Sequence, residues 1–287
     1  NNAIAALGII LNEDGSGVGQ HVINEHACFK GYALSLFNTK TQRQGIEYVL
    51  DNLRGHNIDT KKLRDRYDEF KIKYDELIKI YLRPPAPDTS KLISDILYHA
   101  GATSKKSNSI IWNSNTAQKA LSLIAQVFAL WTLSRAEYYF DAQGQQDQKN
   151  YLLQPHAAQV IGIFRMLGIG DGEEALKHNL VQIGTGEGKS VTLAVTSVVL
   201  ALLGYDVSCA CYSQYLSDRD YDAFRTLFDA LNVTDFIHYG TFNGLSERVI
   251  NENGNIRDIV SNFVTRGDIK ASVMATGTQR PKILLID

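Results

Sequence analysis

A glycine-rich stretch that ends in Lys189 and Ser190 limits the folds open to this chain more than any other feature of its sequence. Mostly apolar residues occupy positions 180–183 before it, and a long apolar segment, 191–203, follows it. A strand that enters a glycine-rich loop and a buried helix that leaves it are typical of a phosphate-binding loop. The stretch therefore predicts an α/β fold that binds a nucleotide at the N-terminus of a helix.

The residue types in this loop suit a triphosphate. Gly186 and Gly188 let backbone N–H groups come close to phosphate oxygens, because glycine has no Cβ to block the approach. Lys189 supplies positive charge for the β- and γ-phosphates, and the Ser190 hydroxyl is placed to bind Mg²⁺. We predict ATP and Mg²⁺ as ligands, with an ATP site that includes Gly184, Thr185, Gly186, Glu187, Gly188, Lys189 and Ser190.

One position departs from the strict Walker A pattern, since Ile183 stands where that pattern has its first glycine. The alternative interpretation is an incidental glycine-rich turn between a strand and a helix. The agreement of the loop with the apolar segments on both sides disfavours it.

Composition excludes several classes of protein. The chain has 287 residues, of which 44% are hydrophobic and 21% charged, as in ordinary globular proteins. Its formal net charge of −2 does not indicate a nucleic-acid-binding protein, although a local basic patch on the surface is not excluded. Three cysteines are too few for a disulfide framework and favour a reducing compartment. No apolar run is long enough to cross a bilayer, and we expect a cytoplasmic protein.

Two regions of the chain differ in pattern. Residues 1–115 carry no strong chemical motif, and their apolar residues recur at helical spacing over 41–53, 60–83 and 89–100, which predicts an all-helical N-terminal region of unassigned role. Residues 116–287 open with a long apolar helix, 116–139. Beyond it predicted helices alternate with predicted strands, at 180–183, 206–212, 236–239 and 282–286. This alternation predicts a parallel sheet with crossover helices.

Five segments carry a pattern known from one family. They read Thr185-Gly186-Glu187-Gly188-Lys189-Ser190, Ala157-Ala158-Gln159-Val160-Ile161-Gly162, Gln214-Tyr215-Leu216-Ser217-Asp218-Arg219-Asp220, Tyr239-Gly240-Thr241 and Ile283-Leu284-Leu285-Ile286-Asp287. Together they resemble the first nucleotide-binding fold of SecA, the motor ATPase of bacterial preprotein export, in the broader class of DEAD-type helicase motors. The loop is the strongest match, because the family also has Glu between the glycines and lacks the first Walker glycine. The resemblance covers roughly residues 120–287.

The resemblance implies a RecA-like, DEAD-type P-loop NTPase fold for residues 116–287. It also implies roles for two residues outside the loop. Gln159 would read the adenine base, although Ala157 replaces the family's preceding Asp. Asp287 would hold Mg²⁺ through water, which makes Ser190 and Asp287 the predicted metal residues. In the family a catalytic Glu follows this Asp, so we expect the domain to be incomplete at its C-terminus and this chain alone to hydrolyse ATP slowly or not at all.

The resemblance further implies an unfolded polypeptide substrate and a membrane channel as partners, contacted through domains outside this chain. A peripheral location at a membrane is therefore an alternative to a purely cytoplasmic one. Two other functions stay open. A nucleic-acid helicase motor of the DEAD type is disfavoured by the net acidity and by the SecA-type loop. A non-hydrolysing nucleotide-binding scaffold is left open because the family's Asn-Glu-x-Gly-Phe-Asp-Tyr run does not follow residues 239–241.

Overall fold

A computed structural model of the chain describes most of its residues. The described ranges are 27–42, 44–56, 58–104, 112–144, 148–171, 174–184, 187–251, 257, 261, 264–265 and 280–287. Two residues of the predicted loop, Thr185 and Gly186, lie outside them.

The helices and strands of the described residues are numbered here in chain order. They are α1 (Ala27–Gln42), α2 (Ile46–Asn52), α3 (Thr60–Tyr81), α4 (Thr89–Ser104), α5 (Ser114–Leu133), α6 (Glu137–Asp141), α7 (Ala157–Leu167), α8 (Lys189–Leu203), β1 (Asp206–Cys211), α9 (Gln214–Ala230), β2 (Ile237–Thr241), α10 (Phe242–Asn251) and β3 (Lys282–Ile286). Short 3₁₀ helices lie at Gln148–Tyr151 and Thr234–Phe236.

Helix α3 is amphipathic, as the spacing of its apolar residues predicts. Asp59 caps it, because its side chain accepts a hydrogen bond of 2.9 Å from the Lys62 N–H. The residues that α3 buries recur on one face, and they are Leu63, Phe70, Tyr74 and Tyr81. This face packs against α5 and α7.

Helix α5 lies at the centre of the core, and every residue from Leu123 to Leu133 is buried. The Phe128 ring meets the Phe70 ring of α3 edge to face, with 5.9 Å between centroids. Phe70 in turn meets Phe164 of α7 at 6.3 Å. These rings join the N-terminal helices to the helices next to the glycine-rich loop in one hydrophobic core.

The strands form one parallel sheet in the order β2-β1-β3. Cys209 of β1 lies opposite Tyr239 on one side and Leu285 on the other. Helix α8 packs between this sheet and α5, and all its residues from Thr192 to Leu203 are buried. The predicted parallel α/β fold with crossover helices is confirmed. It brings the carboxyl ends of all three strands to one edge of the sheet, where parallel α/β proteins bind ligands.

Two predicted elements differ in the structure. Residues 180–183 form no strand, and the Leu180 side chain is fully exposed, because no described strand lies alongside them to complete a ladder. The helix predicted over 116–139 ends at Leu133. There the N–H groups of Arg135 and Ala136 bond to carbonyls three residues back, which makes a turn before α6.

Candidate nucleotide-binding site

Gly188 is the residue at which the loop becomes helix α8. Its φ of +80° and ψ of +45° are left-handed, a conformation that favours glycine. A Cβ at this position would lie 2.2 Å from the Gln159 Nε2, so a side chain has no room there. Just before it the backbone turns, and the Glu187 N–H donates to the Gly184 carbonyl at 3.3 Å. This turn delivers the N-terminus of α8, whose first N–H groups have no partner within a helix and suit an anion.

Lys189 begins helix α8 and is exposed. A lysine at a helix N-terminus is locally unfavourable, because its charge adds to the positive end of the helix dipole. A feature that costs local stability points to a functional role, and a bound phosphate would offset this cost. The predicted phosphate-binding lysine thus lies in solvent at the positive end of a buried helix.

Gln159 lies beneath the loop and is 3% exposed. Its Oε1 accepts a hydrogen bond of 3.0 Å from the His156 N–H, which caps α7. Its Nε2 donates to the Glu187 carbonyl at 3.2 Å. The Gln159 side chain therefore links His156, at the start of α7, to Glu187 in the loop by two hydrogen bonds. Adenine reading by Gln159 stays a prediction, and it would require the amide to exchange one of these bonds.

Ser190 donates its hydroxyl hydrogen bond to a carboxylate. The Ser190 Oγ lies 2.8 Å from the Asp220 Oδ2 of α9. Asp220 is 4% exposed, and its Oδ1 accepts from the Arg219 Nε at 2.9 Å and Nη2 at 2.6 Å. This bonding raises the pKa of the exposed Arg219 guanidinium. A buried carboxylate thus orients the hydroxyl predicted to bind Mg²⁺.

Asp287 follows β3 and continues its pairing, since its N–H donates to the Ala210 carbonyl at 3.0 Å. The thiol of Cys211, at the end of β1, has a raised pKa because of burial and then the charges of Asp287 and Asp220. Asp287 lies at the carboxyl edge of the sheet, where it lines a cavity together with Cys211, Tyr212 and Thr241. Ser190 and Asp220 do not line that cavity, and the metal role of Asp287 stays a prediction.

These groups fit a Mg²⁺ ion held together with a nucleotide. Within the described part of the chain, no cluster of three or more His, Cys, Asp or Glu residues could hold a metal by itself. Mg²⁺ usually takes one or two carboxylates together with substrate phosphates and water, rather than a complete cage of protein ligands. The Ser190 hydroxyl and the Asp220 carboxylate 2.8 Å from it are a donor pair of that kind.

Asp220 is the functional candidate that the sequence analysis did not single out. It is the last residue of the segment 214–220, in which the Arg-Asp pair was the available signal. Helix α9 starts at Gln214, because the Ser213 side chain caps it by accepting from the Leu216 N–H. Because α9 starts at Gln214, Asp220 lies on the side of α9 that contacts Ser190 of α8.

His156 is the titratable group next to Gln159. Burial lowers the pKa of its imidazole, and the negative charge of Glu187 partly opposes that shift. The lowered pKa favours the neutral form of this imidazole.

None of the helices in the described ranges is both long and apolar enough to span a membrane.

Among families of known proteins, the model of the SecA DEAD-like domain matches residues 39–243. A search of curated individual proteins gives no match. The matched range contains the loop, Gln159 and Asp220, and it begins within the helical N-terminal region. Family membership indicates an ATPase motor domain of the SecA type that uses a nucleotide. More than half of the chain is matched, and the chain therefore belongs to the family of SecA DEAD-like domains.

Proposed function

We propose that this chain binds Mg²⁺–ATP on the loop 184–190 and is the nucleotide-binding domain of a SecA-like motor that couples ATP hydrolysis to protein translocation. The observation that carries the proposal is the left-handed Gly188, packed on Gln159, at the N-terminus of a buried helix. Few other functions explain a conformation that only glycine fits, next to an exposed lysine and a hydroxyl held by a carboxylate.

Each polar group then has a distinct role. Backbone N–H groups at the start of α8 and the Lys189 ammonium bind the phosphates. The Ser190 hydroxyl, oriented by Asp220, and the Asp287 carboxylate at the end of β3 would hold the metal. The bound Mg²⁺ would neutralise phosphate charge and orient the γ-phosphate. Gln159 supports the loop from the side of α7.

The partners follow from the family rather than from the site. A SecA-like motor acts on an unfolded polypeptide and works with a membrane channel, so we place this protein in the cytoplasm or at the periphery of a membrane. The contacts to both partners would come from domains outside this chain. In this proposal, the described part of the chain carries the nucleotide site of the motor.

The first test is the variant Lys189→Ala. Because this lysine is exposed, its loss removes a phosphate contact without opening the core. We expect ADP and ATP binding with Mg²⁺, measured by isothermal titration calorimetry, to weaken by at least tenfold, about 1.4 kcal/mol. The circular dichroism spectrum and the melting temperature of the free protein should stay those of wild type.

The matched control is Lys91→Ala, which removes another exposed lysine, on α4. It should bind nucleotide as wild type does. Unchanged ATP affinity in Lys189→Ala would remove the phosphate-binding role from the loop.

A further inference from the structure

A cavity of about 420 Å³ lies outside the nucleotide site. Helix α3 forms one side of it, and α6 with the segment 149–154 forms the other. None of the described residues that line this cavity belongs to the loop 184–190. Its volume falls within the roughly 300–1,000 Å³ of pockets that take small organic ligands. The cavity is therefore large enough for a ligand of its own.

The wall on the side of α3 is apolar, and its aromatic ring is fixed in place. Tyr74 is 3% exposed, and its hydroxyl lies 2.9 Å from the Thr132 Oγ1 of α5. Ile78, one turn further along α3, and Leu82, just after the end of α3, line the cavity as well. Both pack against the main core. This side therefore presents a rigid apolar surface to the cavity.

The opposite wall is held in place by Asn38 of α1. Asn38 is 4% exposed, and its side-chain amide donates to the carbonyl groups of Asn150 and Leu152 at 2.7 and 2.6 Å. The Gln154 amide donates to the Lys149 carbonyl at 2.8 Å, which closes the turn between them. Hydrogen bonds thus fix the backbone that carries the buried Leu152 side chain. The shape of this wall therefore does not depend on a ligand.

Two lysines bring positive charge to the rim of the cavity. Lys79 of α3 and Lys149 both line it, and both are exposed. Within the described part of the chain, neither lysine forms an ion pair. The Asp75 carboxylate also lines the cavity, but it pairs with Lys71 one turn earlier on α3. The ammonium groups of Lys79 and Lys149 are therefore available to an anion.

We propose that this cavity binds a small aromatic carboxylate. The Tyr74 and Tyr139 rings and the Leu152 side chain contact the ring of the ligand, as apolar and aromatic side chains do in most small-molecule pockets. The carboxylate has two oxygens that accept hydrogen bonds, one for each of the two ammonium groups. A neutral ring would make no use of the lysines, and inorganic phosphate would make no use of the apolar walls. The inference is independent of the proposed nucleotide site.

The test compares 2-naphthoate with 2-naphthamide, which has the same rings and no charge, by isothermal titration calorimetry. Wild type should bind the carboxylate about tenfold more tightly than the amide, because only the carboxylate pairs with the lysines. In each of Lys79→Gln and Lys149→Gln we expect 2-naphthoate to bind about threefold more weakly, the size of an ion pair between exposed groups. The double variant should lose about tenfold, while its affinity for 2-naphthamide stays at the wild-type value.

The matched control is the double variant Lys61→Gln and Lys91→Gln, which removes two exposed lysines of α3 and α4 that lie outside the cavity lining. It should bind both probes as wild type does. Tyr139→Ala should weaken both probes by the same factor, because its ring contacts the part that they share. Wild-type affinity for 2-naphthoate in the Lys79 and Lys149 double variant would overturn the site, and so would an equal loss of both probes there. A wild-type protein that binds neither probe would overturn it as well.

Discussion

At the residue scale, the site depends on side chains that hold the loop and its hydroxyl in place. The Gln159 side-chain amide donates a hydrogen bond to the Glu187 carbonyl. The Asp220 carboxylate, on α9, accepts a hydrogen bond from the Ser190 hydroxyl. Neither contact is local in sequence, and both involve buried groups. Loss of such a partner leaves a buried polar atom unpaired, which costs about 1–3 kcal/mol.

Gln159→Ala separates two roles of that amide. The observed bonds favour support of the loop, so we expect the variant to bind ATP and GTP more weakly by the same factor, at least about fivefold. If the amide instead reads adenine, wild type prefers ATP, and the variant loses about 1–3 kcal/mol of that preference. Competition binding with both nucleotides distinguishes the two results.

The control for this comparison is Gln154→Ala, whose amide donates to the nearby Lys149 carbonyl and lies away from the loop. Both nucleotides should bind it as they bind wild type. If Gln159→Ala binds both nucleotides with wild-type affinity, Gln159 neither supports the loop nor reads adenine.

At the element scale, helix α3 holds the segment that follows α7. The Lys62 Nζ donates to the Asp171 carbonyl at 2.6 Å, and Arg66 pairs with Glu174 through its Nε at 3.0 Å and its Nη2 at 2.9 Å. Glu174 also accepts from the Gly170 N–H at 3.2 Å. An N-terminal helix thus holds Asp171 and Glu174 of the segment that follows α7.

Glu174→Ala should destabilise the protein through this contact. The Glu174 side chain is 2% exposed and that of Arg66 is 22% exposed. Removal of the carboxylate leaves the Nε and Nη2 of this mostly buried cation without an acceptor, while Nη1 keeps Glu69 and Gln118. Breaking a fully buried pair costs about 3–5 kcal/mol, and the partial exposure of Arg66 lowers our expectation to about 2–3 kcal/mol. Urea unfolding followed by circular dichroism measures the loss.

Asp75→Ala is the matched control, since it breaks the exposed pair between Lys71 and Asp75 on the same helix. Exposed pairs of this kind contribute about 0.5 kcal/mol or less. Equal stability losses in the two variants would contradict a structural role for the Arg66–Glu174 pair.

At the scale of the whole molecule, one core joins the N-terminal helices to the α/β part. The rings of Phe70, Phe128 and Phe164 connect α3, α5 and α7, and α8 packs on both α5 and β1. The family match also runs across both regions, from residue 39 to residue 243. We therefore regard the helices from α2 onward as part of the unit that carries the nucleotide site.

This shared core predicts a single unfolding transition. In scanning calorimetry, the calorimetric and van't Hoff enthalpies should agree, because the helices and the sheet share one core. ADP with Mg²⁺ at about 100 times its Kd should add about 2.7 kcal/mol of stability and move the whole transition upward by several degrees. Two separate peaks, or a shift of only one of them, would show that the helices and the sheet are independent units.

The sequence by itself determined the helices and the parallel sheet, because both depend on local chemistry. Helical spacing predicted α3, and alternation predicted the parallel sheet. The glycines next to Lys189 predicted a phosphate-binding loop; Gly188 is left-handed, and phosphate binding by the loop stays a prediction. Thr185 and Gly186 are outside the described residues, so their role stays a prediction.

Only the tertiary structure decided which distant side chains meet. The bond between Ser190 and Asp220 spans 30 positions. A cavity beside the loop is lined by Tyr48 together with residues more than a hundred positions further along the chain. Periodicity reports which face of an element is buried, but it does not report what that face contacts. For the same reason residues 180–183, apolar enough for a strand, form none, since a strand requires a neighbour to pair with and no described strand lies beside them.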